Sequence, residues 1–439
     1  MLALPCLHAL LYRRQNRFVT DAAVLLDPAP APTGGDSKAA MPFIMLTVLI
    51  DMAAIGLIVP VLPSIVGSFT TSQTDQAWWY GAVSTAFGFA NFFSSPVLGA
   101  LSDKYGRRPV LLLGFCGLAL TFFATALATA IWMLIVARLV GGMMQANAAV
   151  CNAYVADITP PELRAKRFGM LGAMFGVGFI IGPIAGGLLG AINLRLPFFV
   201  AGGLSLLNLL YGYFVLPESL PVARRHGFQL RNTNPFASLS HLSNLGTVGP
   251  LVAVVALTLL AQYILFSSWV LYTTFKFGWG PLQNGWSLAA VGVVSVIVQG
   301  FLLGPLTGRF SSQKLVVSGL ISASLANLMY GLAPHGWVMY AVIFVNILGF
   351  TVSASIQSLI SAAADARTQG RTLGAVASLG SLMAVVAPMF SAPLLGVVSH
   401  LPRGDWRIGA PFYFCAVLQA TALFLSVRHF RNPGTTITP

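Results

Sequence analysis

The amino-acid sequence predicts an all-α membrane protein with twelve transmembrane helices, arranged as two pseudo-symmetric halves of six helices each. Hydrophobic residues make up 56% of the 439-residue chain, and its mean hydropathy is +0.81. A soluble chain of this length would need far more polar surface. The apolar residues are gathered in runs of the roughly 20 residues that span a bilayer. Such runs must be helical, because lipid offers hydrogen bonds to none of their backbone groups.

The twelve predicted spans follow one another along the chain and carry many Gly and Pro residues, as is typical of membrane helices that pack closely. They cover residues 43–66, 78–101, 109–130, 132–155, 167–190, 197–216, 249–272, 284–306, 315–333, 337–360, 374–398 and 410–427.

A constant offset of 205 residues relates the two predicted halves. At this offset Gly99 corresponds to Gly304 and Pro183 to Pro388. The remaining pairs are Leu101 with Leu306, Lys104 with Arg309, Trp132 with Trp337 and Gly169 with Gly374. Matches in separate segments at one offset indicate that a six-helix unit has been duplicated.

The spans divide the chain into five predicted parts. The first six-helix half covers residues 41–216 and the second covers 248–428, with a cytoplasmic linker at 217–247 and a cytoplasmic tail at 429–439. Residues 1–40 contain a Pro- and Gly-rich stretch that is flexible by composition. Two interpretations of this extension stay open: it is disordered, or the mature protein begins at the methionine of the first span.

The basic residues are unevenly distributed. The formal net charge is +13, and 19 of the 24 Lys and Arg residues fall in the termini and in the loops on the side of residues 102–108. Arg138 lies inside a span, and the four on the opposite side are Arg195, Lys276, Arg403 and Arg407. This positive-inside pattern predicts a multi-pass protein of the inner (plasma) membrane with both termini cytoplasmic. It provides no basic stripe for a nucleic acid.

A short basic hairpin at residues 99–112, GALSDKYGRRPVLL, joins the second and third predicted spans. Its glycines let two helix ends approach closely, and its positive charges hold the loop on the cytoplasmic side. The string resembles the cytoplasmic loop signature of the major facilitator superfamily, G-x-L-x-D-[RK]-x-G-R-[RK]. The matching residues are Gly99, Leu101, Asp103, Lys104, Gly106, Arg107 and Arg108. We expect Asp103 to brace a cytoplasmic gate by bonding backbone N–H groups or the adjacent arginines.

Two ionisable side chains are predicted to lie deep in the membrane. Asp51 is the one acid well inside a span, about 12 Å from the start of its helix at Phe43. An ionised carboxylate is costly at that depth, so the carboxyl is suited to take up and release a proton. Arg138 is the one base inside a span. The open interpretations are that it snorkels to the membrane surface, tunes a carboxylate or binds an anionic group. For Asp51 the alternative is a purely structural hydrogen bond.

The fifth predicted span contains the segment GVGFIIGPIAGG, residues 176–187. Glycines spaced by four residues give a helix one flat face, and Pro183 loosens a backbone hydrogen bond. The segment resembles the fifth-helix signature G-x-x-x-G-P-x-x-G-G, which is associated with antiporters of the superfamily. Its residues are Gly178, Gly182, Pro183, Gly186 and Gly187. The functional interpretation is a face where the two halves meet and rock, and the simpler one is tight packing.

Amides inside the spans are the candidate lining of a substrate cavity, although an interhelical hydrogen bond explains each one equally well. The principal candidates are Asn91, Gln145, Asn152, Gln262 and Gln299, and the others are Asn147, Asn327, Asn346 and Gln357. The four cysteines (Cys6, Cys116, Cys151 and Cys415) have neither metal-site nor disulfide spacing. The sequence therefore predicts no metal and no cofactor.

Within the superfamily, the chain resembles the tetracycline/proton antiporters over about residues 41–430. The resemblance rests on residues 49–63, 94–112, 152–169, 178–187 and 197–219. It implies that Asp51 is the acid of the first helix, Asp103 the hairpin acid and Asp157 a gating acid that ends the fourth helix. Asn91 stands where that family carries a Gln. The second half departs from the family: an expected acid falls on Ala323 and an expected His on Ser295.

These observations favour a secondary active transporter that exports a hydrophobic or amphipathic small molecule, in exchange for protons, by alternating access. The expected partners are the substrate, the proton and the lipid bilayer, and we expect a monomer. The main alternative is a major facilitator that imports or equilibrates a metabolite such as a sugar or an organic acid. A membrane receptor without transport activity is less favoured, since no long soluble domain accompanies the spans. No combination of nucleophile, base and orienting group predicts an enzyme.

Overall fold

The computed structural model describes residues 36–145, 147–225, 249–363 and 369–431, and their regular structure is helical throughout. The first part of the chain contains α1 (Asp36–Ile58), α2 (Leu62–Gly67), α3 (Gln73–Tyr105), α4 (Arg107–Ala126), α5 (Ile131–Met144), α6 (Asn147–Ile158), α7 (Pro161–Ile192) and α8 (Leu196–Val215). The second part contains α9 (Gly249–Phe277), α10 (Pro281–Ile297), α11 (Leu303–Arg309), α12 (Ser312–Leu332), α13 (Gly336–Val345), α14 (Val352–Ala363), α15 (Gln369–Val398) and α16 (Ala410–Arg431). The predicted extension (1–40), linker (217–247) and tail (429–439) lie largely outside the described residues.

Ten segments among the described residues are long and apolar enough to cross a membrane. An eleventh is formed by the pair Gly336–Val345 and Leu348–Ile360, which is bent by 53°. The remaining predicted span, 78–101, lies within the 33-residue helix α3. That helix is long enough to cross but less apolar, because Asn91 and the helical Ser-Ser-Pro sequence at 94–96 interrupt its hydrophobic side chains. The all-α membrane class is confirmed, and the count of twelve stays a prediction.

From Phe43 onward the chain forms one compact unit that contains several hydrophobic clusters. One cluster is built from residues between 54 and 201, with Leu57, Leu118 and Phe198 fully enclosed. Two others are built from residues between 251 and 422. Most of the apolar packing therefore takes place within the first or within the second part of the chain.

Two helix pairs make most of the contact between the first part and the second: α7 packs on α10, and α3 packs on α15. Both contacts are close at one end, which we call the packed end. There a Cβ on Gly187 would lie 2.7 Å from the Pro281 carbonyl oxygen, and a Cβ on Gly88 would lie 3.1 Å from the Ala384 oxygen. Glycine is needed at these positions because the partner is rigid backbone rather than a movable side chain.

The opposite end of the same helices, which carries the turn between α3 and α4, we call the hairpin end. A Cβ added at Gly99 of α3 or Gly169 of α7 would meet no atom within 4 Å. The same holds at Gly304 of α11 and Gly374 of α15. The glycines of these helices are thus tightly packed at one end and unopposed at the other.

Candidate functional site

Arg107 forms the centre of a charged network at the hairpin end. Its Nη1 lies 2.6 Å from Asp103 Oδ1 and donates to Ser102 Oγ at 2.7 Å. Its Nε donates to Asp157 Oδ2 at 3.0 Å. The side chain of Arg107 is only 10% exposed, so these groups replace the water that a guanidinium requires. Three helices, α3, α4 and α6, are thereby joined at one cation.

Gly106 directly precedes Arg107 and has a backbone conformation that suits glycine. Its φ is 104°, which side chains rarely adopt, and a Cβ there would collide with the Glu218 carboxylate. The glycine ends α3 and lets α4 start at the next residue. Gly99 lies about two turns earlier in α3, and a Cβ added there would meet no atom of the described residues within 4 Å.

Glu218 caps α4 and was not among the predicted site residues. Its Oε1 accepts from the backbone N–H of Arg107 at 2.8 Å, and its Oε2 accepts from that of Arg108 at 3.2 Å. A carboxylate at a helix N-terminus satisfies N–H groups that have no partner within the helix. The signal in the sequence is an acid, one of only eleven Asp and Glu residues, placed directly after an apolar run. Arg108 also donates, through Nη2, to the Tyr213 carbonyl oxygen at 2.6 Å.

Asp51 lies in α1 and is 5% exposed. Its carboxyl faces α6, where its neighbours are Asn147 and Cys151, one turn apart on the same face of that helix. The side chain of Asn147 lies within hydrogen-bonding reach of the Asp51 carboxyl, to which its amide nitrogen can donate. The carboxyl of Asp51 is thus buried beside uncharged side chains, and its role as a proton carrier stays a prediction.

Arg138 lies in α5 and is not paired with Asp51 by any ion pair among the described residues. Its guanidinium lies over the Phe87 ring, 5.9 Å from the ring centroid. It lines a cavity of about 170 Å³ together with Thr121, Thr125 and other residues. The Nε and Nη2 atoms are buried and have no hydrogen-bond partner in the described part of the chain. The guanidinium therefore faces the protein interior rather than snorkelling outward.

The glycine row of α7 packs mainly against α1, which corrects part of the expectation for residues 176–187. A Cβ on Gly178 would lie 2.6 Å from Met52 Cβ, and one on Gly182 would lie 2.8 Å from the Cα of Gly56. Gly186 faces the backbone of Leu57 in the same way. These glycines are spaced by four residues, so they share one helix face, and that face meets a helix of the first part of the chain.

The neighbouring face of α7 meets the second part of the chain. Gly187 abuts Pro281 of α10, and the Pro183 carbonyl oxygen abuts Gly285. Pro183 also contacts α1, since a Cβ on Gly56 would lie 2.8 Å from its Cδ. Sequence spacing showed that the glycines share a face but not which helix that face would meet.

The predicted cavity amides fall in different places. Gln262 and Gln299 line one cavity of about 440 Å³, together with Asn327 and Asn346. Gln145 lines the smaller cavity beside Arg138. The other two principal candidates line neither of these cavities: Asn91 is half-buried in α3, and Asn152 is exposed on α6.

The larger cavity is built almost entirely by helices of the second part of the chain, with Phe179 of α7 as the contribution of the first part. Two irregular segments supply several of its side chains. One is the π-turn Val298–Leu302, which includes Gln299, and the other is the break around Asn346 between α13 and α14. Such interruptions of a membrane helix are tolerated where neighbouring groups or a cavity satisfy the backbone. Thr258 and Gln419 also line this cavity and were not predicted.

Comparison with known proteins identifies the family. A model of the Major Facilitator Superfamily matches residues 44–388. The class C tetracycline resistance protein of Escherichia coli is 35% identical over 378 residues, which cover 86% of this chain and 95% of that relative. The class B protein of Escherichia coli is 31% identical over 385 residues, with coverages of 87% and 95%. Multidrug resistance protein 2 of Bacillus subtilis is 26% identical over 404 residues, with coverages of 89% and 95%.

Solved structures show the same fold at low sequence identity. The human organic anion transporter MFSD10 has a TM-score of 0.67 at 22% identity, covering 89% of this chain and 99% of its own. The nucleoside transporter NupG has a TM-score of 0.70 at 14% identity, covering 89% and 99%. A D-xylose-proton symporter has a TM-score of 0.68 at 18% identity, covering 89% and 93%.

The chain is therefore a multi-pass membrane protein of a transporter class and belongs to the major facilitator superfamily. Within that superfamily it is similar to the tetracycline resistance proteins. The resemblance stated from the hairpin and the glycine motif is confirmed.

Proposed function

We propose that the protein is a drug-efflux antiporter, which exports a hydrophobic or amphipathic small molecule in exchange for protons. The names of its relatives, tetracycline and multidrug resistance proteins, support export of drugs. In this proposal the chain crosses the inner membrane twelve times, with α3 as the span of lower hydropathy. Residues 41–216 and 248–428 form the two halves, and 217–247 link them in the cytoplasm, where both termini also lie. It acts as a monomeric transporter and not as an enzyme.

The observation that carries the proposal is the enclosure of Asp51. A carboxyl in the middle of an apolar helix, beside the uncharged Asn147 and Cys151, has no cation to hold it ionised. The protonated and the ionised carboxyl therefore favour different conformations of the protein. Coupling to a proton gradient requires such a difference. In this proposal Arg138, which lines the smaller cavity, tunes a carboxylate or binds an anionic group.

Alternating access is supported by the difference between the two ends of the helix pairs. At the packed end the pairs touch at Gly187 and Gly88, and at the hairpin end Gly99 and Gly169 face no atom within 4 Å. In this proposal the difference between the two ends marks a state that is open toward the hairpin end. The network of Asp103, Arg107 and Asp157 then serves as the gate on that side, together with Gly99, Gly106 and Arg108.

The second candidate is a major facilitator that imports or equilibrates a metabolite. It is favoured by the larger cavity, whose lining, as far as the structure describes the chain, contains amides and hydroxyls and no charged side chain. Neighbours in structure include transporters named for a nucleoside and for D-xylose. The two candidates differ in whether transport is driven uphill and outward by protons.

Flux measurements in proteoliposomes test the proposal. A drug panel that includes tetracycline, applied with and without an uncoupler to a host that lacks its own efflux pumps, first selects a transported compound. Asp51→Asn keeps the size and hydrogen bonding of the side chain but fixes it in a neutral state. We expect this variant to lose uphill export driven by a pH gradient and to retain exchange of the compound down its own gradient. Asp51→Glu should keep partial activity with a shifted pH optimum.

The matched control is Asp75→Asn, since Asp75 is an acid at the start of α3 that accepts from Ser72 Oγ at 2.8 Å outside the apolar stretch. This variant should export as the wild type does. Full proton-driven export by Asp51→Asn would remove Asp51 from the coupling mechanism. Accumulation of the compound without any dependence on pH would favour the importer or facilitator.

A further inference from the structure

The cavity of about 440 Å³ contains three buried oxygens that have no hydrogen-bond partner within the described part of the chain. They are Thr258 Oγ1, Asn327 Oδ1 and Gln419 Oε1, on α9, α12 and α16. All three residues are at most 6% exposed. A buried polar atom without a partner costs free energy, and native structures keep few of them. Three in one cavity, from three separate helices, indicate groups that are satisfied when a ligand is bound.

The orientation of Asn327 is fixed by its own helix. Its Nδ2 donates to the Ala323 carbonyl oxygen at 2.8 Å, and because a carbonyl can only accept, the nitrogen must point that way. The side-chain oxygen is therefore the atom left for a ligand. The indole N–H of Trp269 is likewise engaged, since it donates to Ser287 Oγ at 2.9 Å. The cavity thus offers the side-chain oxygen of Asn327 as an acceptor, whereas the single indole N–H of Trp269 is already used.

The rest of the lining excludes a charged ligand. Among the described residues that line this cavity there is no Asp, Glu, Lys, Arg or His. An ion placed there would lose its hydration without gaining a counter-charge, which is expensive in a low-dielectric site. Aromatic side chains form part of the wall, among them Phe179, Phe266 and Phe350. These surfaces suit a flat apolar ring system.

We propose that this cavity binds uncharged aromatic molecules that carry O–H or N–H donors, with the oxygens of Asn327, Gln419 and Thr258 as their acceptors. The proposal rests on the proposed transport function and names its substrate class. The proposal predicts that neutral ligands with donors bind this cavity more tightly than cations do, and more tightly than aromatic molecules without donors.

Direct binding to the full-length protein in lipid nanodiscs tests the proposal without a proton gradient. The three probes are a naphthalenediol, its dimethyl ether and a naphthyl trimethylammonium ion, followed by their fluorescence, with empty nanodiscs subtracted. The ether, which lacks both donors, should bind about tenfold or more weakly than the diol. The same loss is expected for the ammonium ion, which carries a charge. Asn327→Leu and Gln419→Leu should each weaken binding of the diol by about tenfold and leave the ether unchanged. Asn327→Asp supplies a carboxylate and should admit the cation.

Asn208→Leu is the matched control. Asn208 is a buried amide whose Nδ2 donates to the Thr47 carbonyl oxygen at 3.2 Å and whose oxygen also lacks a partner, but it lies in α8 away from this cavity. This variant should bind the diol as the wild type does. Equal affinities for diol and ether, or diol binding that is insensitive to both cavity variants, would overturn the proposal. If the diol fails to bind while Asp51-dependent export of another compound persists, only this inference falls. If the diol binds but no export occurs, only the transport function falls.

Discussion

Gly182 and Gly56 meet backbone to backbone where α7 crosses α1. A Cβ built on Gly182 would lie 2.8 Å from the Cα of Gly56 and 2.7 Å from the Ala53 carbonyl oxygen. Both neighbours are main chain, so neither can move aside without shifting α1 as a whole. Since α1 carries Asp51 five residues before Gly56, this contact helps to set the position of the carboxyl.

Gly182→Ala should therefore destabilise the protein, although alanine is the better helix former. The added methyl overpacks the crossing, and we expect a loss of about 1–3 kcal/mol. The unfolding midpoint of the purified protein measures this. Gly172→Ala is the control in the same helix, because a Cβ there would meet no atom within 4 Å. Its midpoint should stay level or rise, and an equal fall in both variants would contradict a specific contact at Gly182.

Asp103 and Asp157 share Arg107 but should respond differently to removal of their charge. The Asp103 side chain is 48% exposed and that of Asp157 is 23% exposed. Asp103→Asn should change stability by less than about 1 kcal/mol, as expected of an exposed ion pair. Asp157→Asn should lose about 1–3 kcal/mol, because a nearly buried guanidinium is left with a weaker partner.

The transport readout separates gating from stability at the same site. Asp103→Asn should lower export strongly while membrane abundance stays near that of the wild type. Flux and abundance in the same cells measure both quantities. Wild-type flux in Asp103→Asn would leave the hairpin acid with a topological role alone.

Lys276 is a buried cation at the end of α9 and hydrogen-bonds to the backbone at the end of α12. It is 3% exposed, and its Nζ donates to the Gly331 carbonyl oxygen at 2.7 Å. The ammonium also lies 5.4 Å from the centroid of the Tyr272 ring. Lys276→Met keeps the apolar stem and removes the donor, so we expect a loss of about 1–3 kcal/mol in the unfolding free energy. Lys314→Met, at an exposed lysine of α12, should be near neutral. An unfolding midpoint equal to that of the wild type in both variants would show that the Gly331 contact contributes nothing to stability.

The predicted topology places Arg224 and His335 on opposite sides of the membrane. Both positions are exposed. In a background without Cys6 and Cys116, Arg224→Cys should react with a membrane-impermeant maleimide only after lysis. His335→Cys should react in intact cells. Labelling of both in intact cells would refute the assignment of the linker to the cytoplasm.

The sequence was most informative where a membrane imposes one solution. Apolar runs had to be helices, and the basic hairpin around Gly106 had to be a tight turn. It was less informative about partners: spacing gave the common face of Gly178, Gly182 and Gly186 but not that α1 covers it. Glu218 escaped notice because its partners are backbone N–H groups of a helix more than a hundred residues away. Composition alone also could not say which amides would share a cavity, since Gln145 and Gln299 look alike in sequence.

The network around Arg107 has a consequence for how the protein is made. All of its charged members, from Asp103 through Asp157 to Glu218, are present once the ribosome has passed Arg225. Domains tend to fold as units and from the N-terminal side during synthesis. The nascent chain can thus fasten α3, α4, α6 and the end of α8 together before any helix after residue 248 leaves the ribosome. Assembly of the transporter is then a docking of the later helices onto a scaffold that already exists, with α3 and α7 as its docking edges.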